Sequence, residues 1–139
     1  MLKRFILLET AENRMINVLL VLIGGGLGAL SRYGVSLLAV KLLGTRFPYG
    51  TLIVNLSGCF LIGLSFALAE RGLNIMNPLI RLFFITGFLG GLTTFSSFAM
   101  ETVNTIRVGT YLVTAGNFLS NNFIGGALVF LGLWVGRIL

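Results

Sequence analysis

The sequence predicts an all-α membrane protein with four transmembrane helices, of which the third is broken near its middle. Of the 139 residues, 56% are hydrophobic and only 10% are charged, a profile too apolar for an ordinary soluble domain. The apolar residues fall into four runs that are long enough to cross a bilayer. Because these runs use nearly the whole chain, we expect one transmembrane domain over residues 15–139, preceded by an extension over residues 1–14.

The composition excludes several classes of function. The chain has no histidine and no aspartate, and its one cysteine, Cys59, cannot form an intramolecular disulfide or a multi-cysteine metal site. Without a histidine, a cysteine pair or a carboxylate pair, the residues for acid–base or nucleophilic chemistry are missing, so we predict no enzyme activity. The net charge of +6 comes from basic residues scattered at the ends of the apolar runs. This distribution indicates topology determinants and contacts with membrane lipid, not a nucleic-acid partner.

The first span is predicted over residues 16–40. Gly24 and Gly28 lie four residues apart, and Arg32 follows on the same helix face. Small residues at this spacing allow the backbones of two helices to approach closely. The same interpretation applies to Gly132 and Gly136 near the end of the chain.

The second span is predicted over residues 51–69 and carries Asn55 one turn inside its start. A carboxamide buried in hydrocarbon is costly unless it is paired. Asn55 is therefore either an interhelical hydrogen-bonding residue or a donor that faces a pore. Asn117 and Asn121 in the fourth span, predicted from residue 111 to the end, leave the same alternatives open: a polar stripe between helices or a track for an ion.

The third span, predicted over residues 79–106, contains the most informative segment, GFLGGLTTFSSF at residues 87–98. Gly90 and Gly91 lower the helix propensity there. Broken backbone at membrane depth is tolerated only where it is buried in protein or lines a cavity. A helix broken over Gly90 to Thr93 and followed by hydroxyl side chains is therefore a candidate ion site.

Phe95 and Phe98 share a helix face among these hydroxyls, since they are three residues apart. The edge of a phenyl ring carries partial positive charge. Ring edges beside amide and hydroxyl donors can hold an anion without trapping it as a desolvated lysine or arginine would, and conduction requires such weak sites. The predicted lining residues are Asn55, Thr94, Phe95, Ser96, Ser97, Phe98, Asn117 and Asn121.

Three ordered motifs resemble those of the Fluc/CrcB fluoride channel family. They are GxxGAxxRY at residues 25–33, GTLxVNxxGxFxxG at residues 50–63 and TGFxGGxTTFSSF at residues 86–98. The resemblance covers the chain from about residue 16 to its C-terminus. Two features depart from the family pattern: Ser97 replaces the commoner threonine, and Asn117 and Asn121 lie where the family varies.

The resemblance implies a passive fluoride channel of the plasma membrane that lets cytoplasmic fluoride leave the cell. It also implies an antiparallel dimer, with a second copy or a paralogue, that contains two pores. Asn55, Phe95 and Phe98 match the pore-lining amide and phenylalanines of the family. A central structural sodium ion would be held by the backbone carbonyls of Gly90 and Thr93. We expect Arg32 and Glu101 near the aqueous vestibules.

Two other functions compete with this prediction. A small four-helix proton-coupled cation or drug exporter needs a carboxylate inside the membrane, and only Glu101 lies well inside a span. A non-conducting assembly subunit is disfavoured by the polar, broken third helix. The excess of basic residues on one side favours both termini in the cytoplasm, but it is small, and it leaves insertion in both orientations open.

Overall fold

The computed structural model of the protein describes residues 11–71 and 77–139. These residues form four long helices, each long and apolar enough to cross a membrane. The helices are α1 (Ala11–Leu43), α2 (Tyr49–Glu70), α3 (Pro78–Arg107) and α4 (Tyr111–Ile138). The predicted all-helical fold with four spans is confirmed, and the predicted extension over residues 1–14 lies largely outside the described residues.

The helices pack as two close pairs, α1 on the first half of α3 and α2 on α4. Glycines make both contacts possible. A Cβ atom on Gly28 would overlap the backbone carbonyl of Phe88, and one on Gly63 would overlap the carbonyl of Val129. Such backbone contact is a common basis of helix association in membranes, where the hydrophobic effect between helices is absent.

The two small-residue faces predicted from the sequence lie in these contacts. A Cβ atom on Gly24 would overlap the carbonyl of Phe83, and one on Gly132 would overlap the carbonyl of Phe60. Both faces are therefore used inside the subunit. Large apolar side chains of all four helices cover its outside, Leu112 and Phe130 among the most exposed, as expected for a surface that meets lipid or another subunit.

The backbone of α3 is interrupted at Thr93 and Thr94. The first half ends at Leu92, and both threonines are extended, with φ −83° and ψ 156° at Thr93 and φ −152° and ψ 116° at Thr94. Thr94 caps the second half (Phe95–Arg107), since its hydroxyl oxygen accepts a hydrogen bond from the amide of Ser97 at 3.2 Å. Threonine is among the favoured residues at this capping position.

This interruption lies further along the chain than the glycines that suggested it. Gly90 and Gly91 remain helical, whereas the sequence indicated a break over Gly90 to Thr93. Gly91 serves packing instead, because a Cβ atom there would overlap the backbone carbonyl of Gly25 on α1. The position of the break is set by the threonine cap and by contacts from α2 described below.

Two stretches depart from α-helical geometry and adopt the wider π-helical turn. They are Leu82–Leu89 in α3 and Ser120–Ile124 in α4. Short π-helical segments inside α-helices are frequent at functional sites. The second stretch contains Asn121, so this local widening of α4 accompanies one of the predicted lining residues.

Candidate functional site

Asn55 of α2 binds the interrupted backbone of α3 through two hydrogen bonds. The amide of Thr94 donates to Asn55 Oδ1 at 2.8 Å, and Asn55 Nδ2 donates to the carbonyl of Thr94 at 3.2 Å. In an unbroken helix the Thr94 amide would donate to the carbonyl of Gly90. The carboxamide therefore replaces the helical acceptor that the Thr94 amide has given up, and it adds a second hydrogen bond at the Thr94 carbonyl.

A line of side chains continues from Asn55 back to the second half of α3. Asn55 Nδ2 donates to Asn121 Oδ1 at 2.9 Å, and Asn121 Nδ2 donates to Asn117 Oδ1 at 2.9 Å. Asn117 Nδ2 donates to Thr102 Oγ1 at 3.0 Å, and this hydroxyl donates to the carbonyl of Phe98 at 2.8 Å. We call this line, from the Thr94 amide to the Phe98 carbonyl, the carboxamide relay.

The relay supplies hydrogen-bond partners to polar groups that would destabilise the fold if they were buried without them. Asn117 is fully buried, with 0% of its surface exposed, and a buried carboxamide without partners would destabilise the fold. Thr102 supplies the partner for Asn117. The three asparagines were predicted from the sequence and Thr102 was not, because one hydroxyl among several on an amphipathic helix carries no distinguishing signal.

A cleft of about 430 Å³ opens beside the break. It is lined by five of the predicted lining residues and by both residues whose carbonyls were predicted to hold sodium: Asn55, Thr94, Phe95, Phe98, Asn121, Gly90 and Thr93. Asn117 lies behind this lining. Ser96 and Ser97 are not among its lining residues, but their hydroxyls are 3.2 Å and 3.1 Å from the hydroxyl of Thr94, which is.

The two phenylalanines contact each other at the cleft, as their spacing predicts. Their ring centroids are 5.7 Å apart and the ring planes are inclined by 59°. Their surroundings differ, since Phe95 is 78% exposed in the single subunit and Phe98 only 6%. The edge of Phe95 is therefore available to an ion or to a second subunit, while Phe98 is held by packing that includes Phe118.

The carbonyl of Thr93 accepts a hydrogen bond from Arg32 Nη1 of α1 at 3.3 Å. A carbonyl oxygen has two lone pairs and can accept from a second partner. The carbonyl of Gly90 has lost its regular helical donor, because the Thr94 amide donates to Asn55. These two oxygens have the chemistry that a small monovalent cation requires, so the residues fit the predicted sodium ion.

The two predicted vestibule residues lie in different parts of the molecule. Arg32 contacts the break, as described above, whereas Glu101 lines a second cleft of about 330 Å³ near the loop between α1 and α2. Glu101 Oε1 accepts from the Thr51 hydroxyl at 2.6 Å, and Glu101 Oε2 is buried without a hydrogen-bond partner among the described residues. Thr51 is a further polar residue of this region, and no sequence pattern distinguishes it.

The fold and the site together define a polytopic membrane protein with a small polar site at a broken helix. Comparison with known proteins agrees with that class. Residues 19–133 match the family described as CrcB-like protein, Camphor Resistance (CrcB). The chain belongs to this family, which confirms the resemblance seen in its motifs, and it is a multi-pass protein of the cell membrane.

Individual relatives are similar over most of their length. A protein of Dehalococcoides mccartyi named fluoride-specific ion channel FluC is 45% identical over 124 residues, 88% of this chain and 93% of the relative. Proteins with the same name from Coxiella burnetii and Agrobacterium fabrum are 46% and 45% identical over 123 residues, 88% of this chain and 96% and 98% of those relatives.

Proposed function

We propose that this chain forms a fluoride-selective passive ion channel, which lets fluoride leave the cytoplasm and has no enzyme activity. The names of the similar proteins support this function. The observation that carries it is the cleft at the break of α3, where the carboxamides of Asn55 and Asn121 meet the paired rings of Phe95 and Phe98.

The chemistry of this lining suits a small, strongly hydrated anion. The residues that line the cleft supply neutral donors and phenyl rings, and the guanidinium of Arg32 donates to the Thr93 carbonyl. Neutral donors can replace the water around fluoride and still release it, as conduction requires. Chloride is larger and accepts hydrogen bonds more weakly, so hydrogen bonds from the same donors compensate for less of the free energy needed to remove its water.

The working unit in this proposal is an antiparallel dimer of two copies with two pores. The exposure of Phe95 in the single subunit supports it, since a second subunit would cover the open side of the cleft. Single cysteines placed in the loop after α1, on a Cys59→Ser background, should then react with impermeant reagents from both sides of the membrane in cells. Labelling from one side only would contradict insertion in both orientations.

The proposal includes a structural sodium ion at the centre of the dimer. The carbonyls of Gly90 and Thr93 from each copy would hold it, and the ion would neutralise the partial negative charge of these oxygens. Because Arg32 already donates to the Thr93 carbonyl, the ion would share this oxygen with the guanidinium. Such an ion supports the interface and does not cross the membrane.

The experiment that tests the proposed function is efflux of fluoride and of chloride from liposomes that contain the purified protein. Rapid fluoride efflux with little chloride efflux supports the proposal. Comparable efflux of both anions, or none of either, would contradict it.

A further inference from the structure

The carboxamide relay ends at two backbone groups whose hydrogen-bonding roles are fixed. At one end the Thr94 amide can only donate, and at the other end the Phe98 carbonyl can only accept. Every intermediate group must therefore donate in the same direction. This fixes the orientation of all three carboxamides, which for an isolated asparagine is an assignment.

The same geometry uses both donors of the two asparagines that line the cleft. Asn55 Nδ2 donates to Asn121 Oδ1 and to the Thr94 carbonyl. Asn121 Nδ2 donates to Asn117 Oδ1 and to the Asn117 carbonyl, at 3.0 Å. An anion that enters the cleft therefore meets carboxamide donors that already have oxygen partners, and it must compete with those oxygens.

We propose that this competition contributes to anion selectivity and that Thr102 is the positioning residue that maintains it. The proposal rests on the proposed channel function. Fluoride is a strong hydrogen-bond acceptor and can displace an internal oxygen from an N–H group. Chloride is a weaker acceptor, so the internal oxygen retains the donor and chloride gains little from the site.

Thr102 acts from a distance, through the orientation of Asn117. Its hydroxyl accepts from Asn117 Nδ2, and this contact turns Asn117 Oδ1 towards Asn121. Without the hydroxyl, the buried Asn117 Nδ2 has lost its acceptor, and it regains one if Asn117 and Asn121 both turn over, so that Asn117 Nδ2 donates to Asn121 Oδ1. Asn55 Nδ2 then faces the Asn121 amide nitrogen and keeps only the Thr94 carbonyl, so one of its two N–H groups becomes free for any anion.

The test compares the ratio of fluoride to chloride efflux from liposomes for Thr102→Val, which removes the hydroxyl and keeps the shape. We expect the ratio to fall about threefold to tenfold, the equivalent of about one neutral hydrogen bond. Efflux from protein-free liposomes is subtracted for both anions, so the ratio does not depend on how many channels are active, and a loss of folded protein alone would not change it.

Two variants serve as controls. Thr102→Ser keeps the hydroxyl and should retain the ratio of the unaltered protein. Thr105→Val removes a hydroxyl three residues further along α3 that also links α3 to α4, since Thr105 Oγ1 accepts from Thr114 Oγ1 at 2.8 Å. This hydroxyl donates to the backbone carbonyl of Thr102 at 2.9 Å, and its removal leaves the Thr102 hydroxyl and the relay in place. This variant should keep the ratio as well, so a general loss of contact between α3 and α4 would be recognised.

An unchanged ratio in Thr102→Val would overturn the inference while leaving the channel function in place, because fluoride efflux would persist. If Thr102→Val cannot be purified as folded protein, Asn121→Ala removes the competing oxygen directly and should lower the ratio in the same direction. An unchanged ratio there would also overturn the inference. Absence of fluoride efflux from the unaltered protein would contradict the channel function and, with it, this inference.

Discussion

Asn55 and Thr94 are joined by a pair of hydrogen bonds in which one side-chain carboxamide serves both the amide and the carbonyl of one residue, at 2.8 Å and 3.2 Å. The carboxamide has the same donor and acceptor groups as a peptide bond. It therefore pairs backbone groups that would be costly to leave unpaired at membrane depth. The broken conformation of α3 thus depends on a residue of α2.

Replacing Asn55 with aspartate tests this contact and the site together. A carboxylate can still accept from the Thr94 amide, but it cannot donate to the Thr94 carbonyl or to Asn121, and its charge repels an anion. We expect fluoride efflux to fall more than about tenfold, since a barrier increase of ~1.4 kcal/mol is sufficient. Size-exclusion chromatography should show that the protein remains folded. Efflux equal to that of the unaltered protein at neutral and alkaline pH would place Asn55 away from the ion path.

Substitution of either phenylalanine should reduce fluoride efflux, but the two substitutions should differ in their effect on stability. Phe95→Ile and Phe98→Ile each remove a ring edge with partial positive charge, and both should strongly reduce fluoride efflux. Within the single subunit Phe98 is 6% exposed and Phe95 78%. Phe98→Ile should therefore lower the unfolding free energy of the subunit by about 1–3 kcal/mol, whereas a loss from Phe95→Ile would arise at the contact with the second subunit. Phe130, which is 75% exposed on α4, provides the control Phe130→Ile with unchanged efflux. Normal efflux in both site variants would mean that these rings only pack.

The glycine contacts between α1 and α3 predict that two alanine substitutions in α1 differ strongly in their effect on stability. A Cβ atom in Gly28→Ala would overlap the Phe88 carbonyl, and backbone cannot easily give way. We expect a loss of about 1–3 kcal/mol in stability, typical of overpacking. Gly26→Ala, two residues away, meets nothing within 4 Å and should be neutral or slightly stabilising, because alanine favours helix. Thermal unfolding in detergent measures both, and equal melting temperatures would contradict the packing described here.

The structural sodium ion predicts a dependence on the cation in the buffer. When sodium is exhaustively replaced by a large organic cation, the carbonyls of Gly90 and Thr93 lose their partner at the interface. The dimer should then dissociate more readily on dilution, and fluoride efflux should fall, with both effects reversed by sodium. If replacing sodium changes neither the dissociation of the dimer nor the rate of fluoride efflux, the proposal of a structural sodium ion is wrong.

Much of the fold follows directly from the sequence. The four spans are visible as apolar runs of bilayer length, and the site residues Asn55, Phe95 and Phe98 stand out because polar and aromatic groups cluster where a plain helix is expected. The position of the break was harder to predict. Low helix propensity pointed to Gly90 and Gly91, whereas the break follows from a threonine cap and from Asn55, 39 residues away from Thr94 in sequence.

Contacts between distant residues account for the remaining differences. The hydrogen bond from Arg32 to the Thr93 carbonyl joins residues 61 positions apart, and no local pattern predicts it. The glycine faces suggested close helix packing, but the pattern does not say whether the partner helix belongs to the same subunit. Thr102 is one of many hydroxyl residues in the chain, and only its place beside the buried Asn117 gives it a role.

The central claim is that the cleft beside Asn55 and Phe95 conducts fluoride and rejects chloride, and one measurement tests it most directly. Liposomes containing the purified protein are loaded with equal concentrations of both anions, and the efflux of each is recorded with ion-selective electrodes. We expect fast fluoride efflux and chloride efflux close to that of protein-free liposomes, with fluoride efflux strongly reduced in Phe95→Ile. Similar efflux of the two anions from the unaltered protein would contradict it.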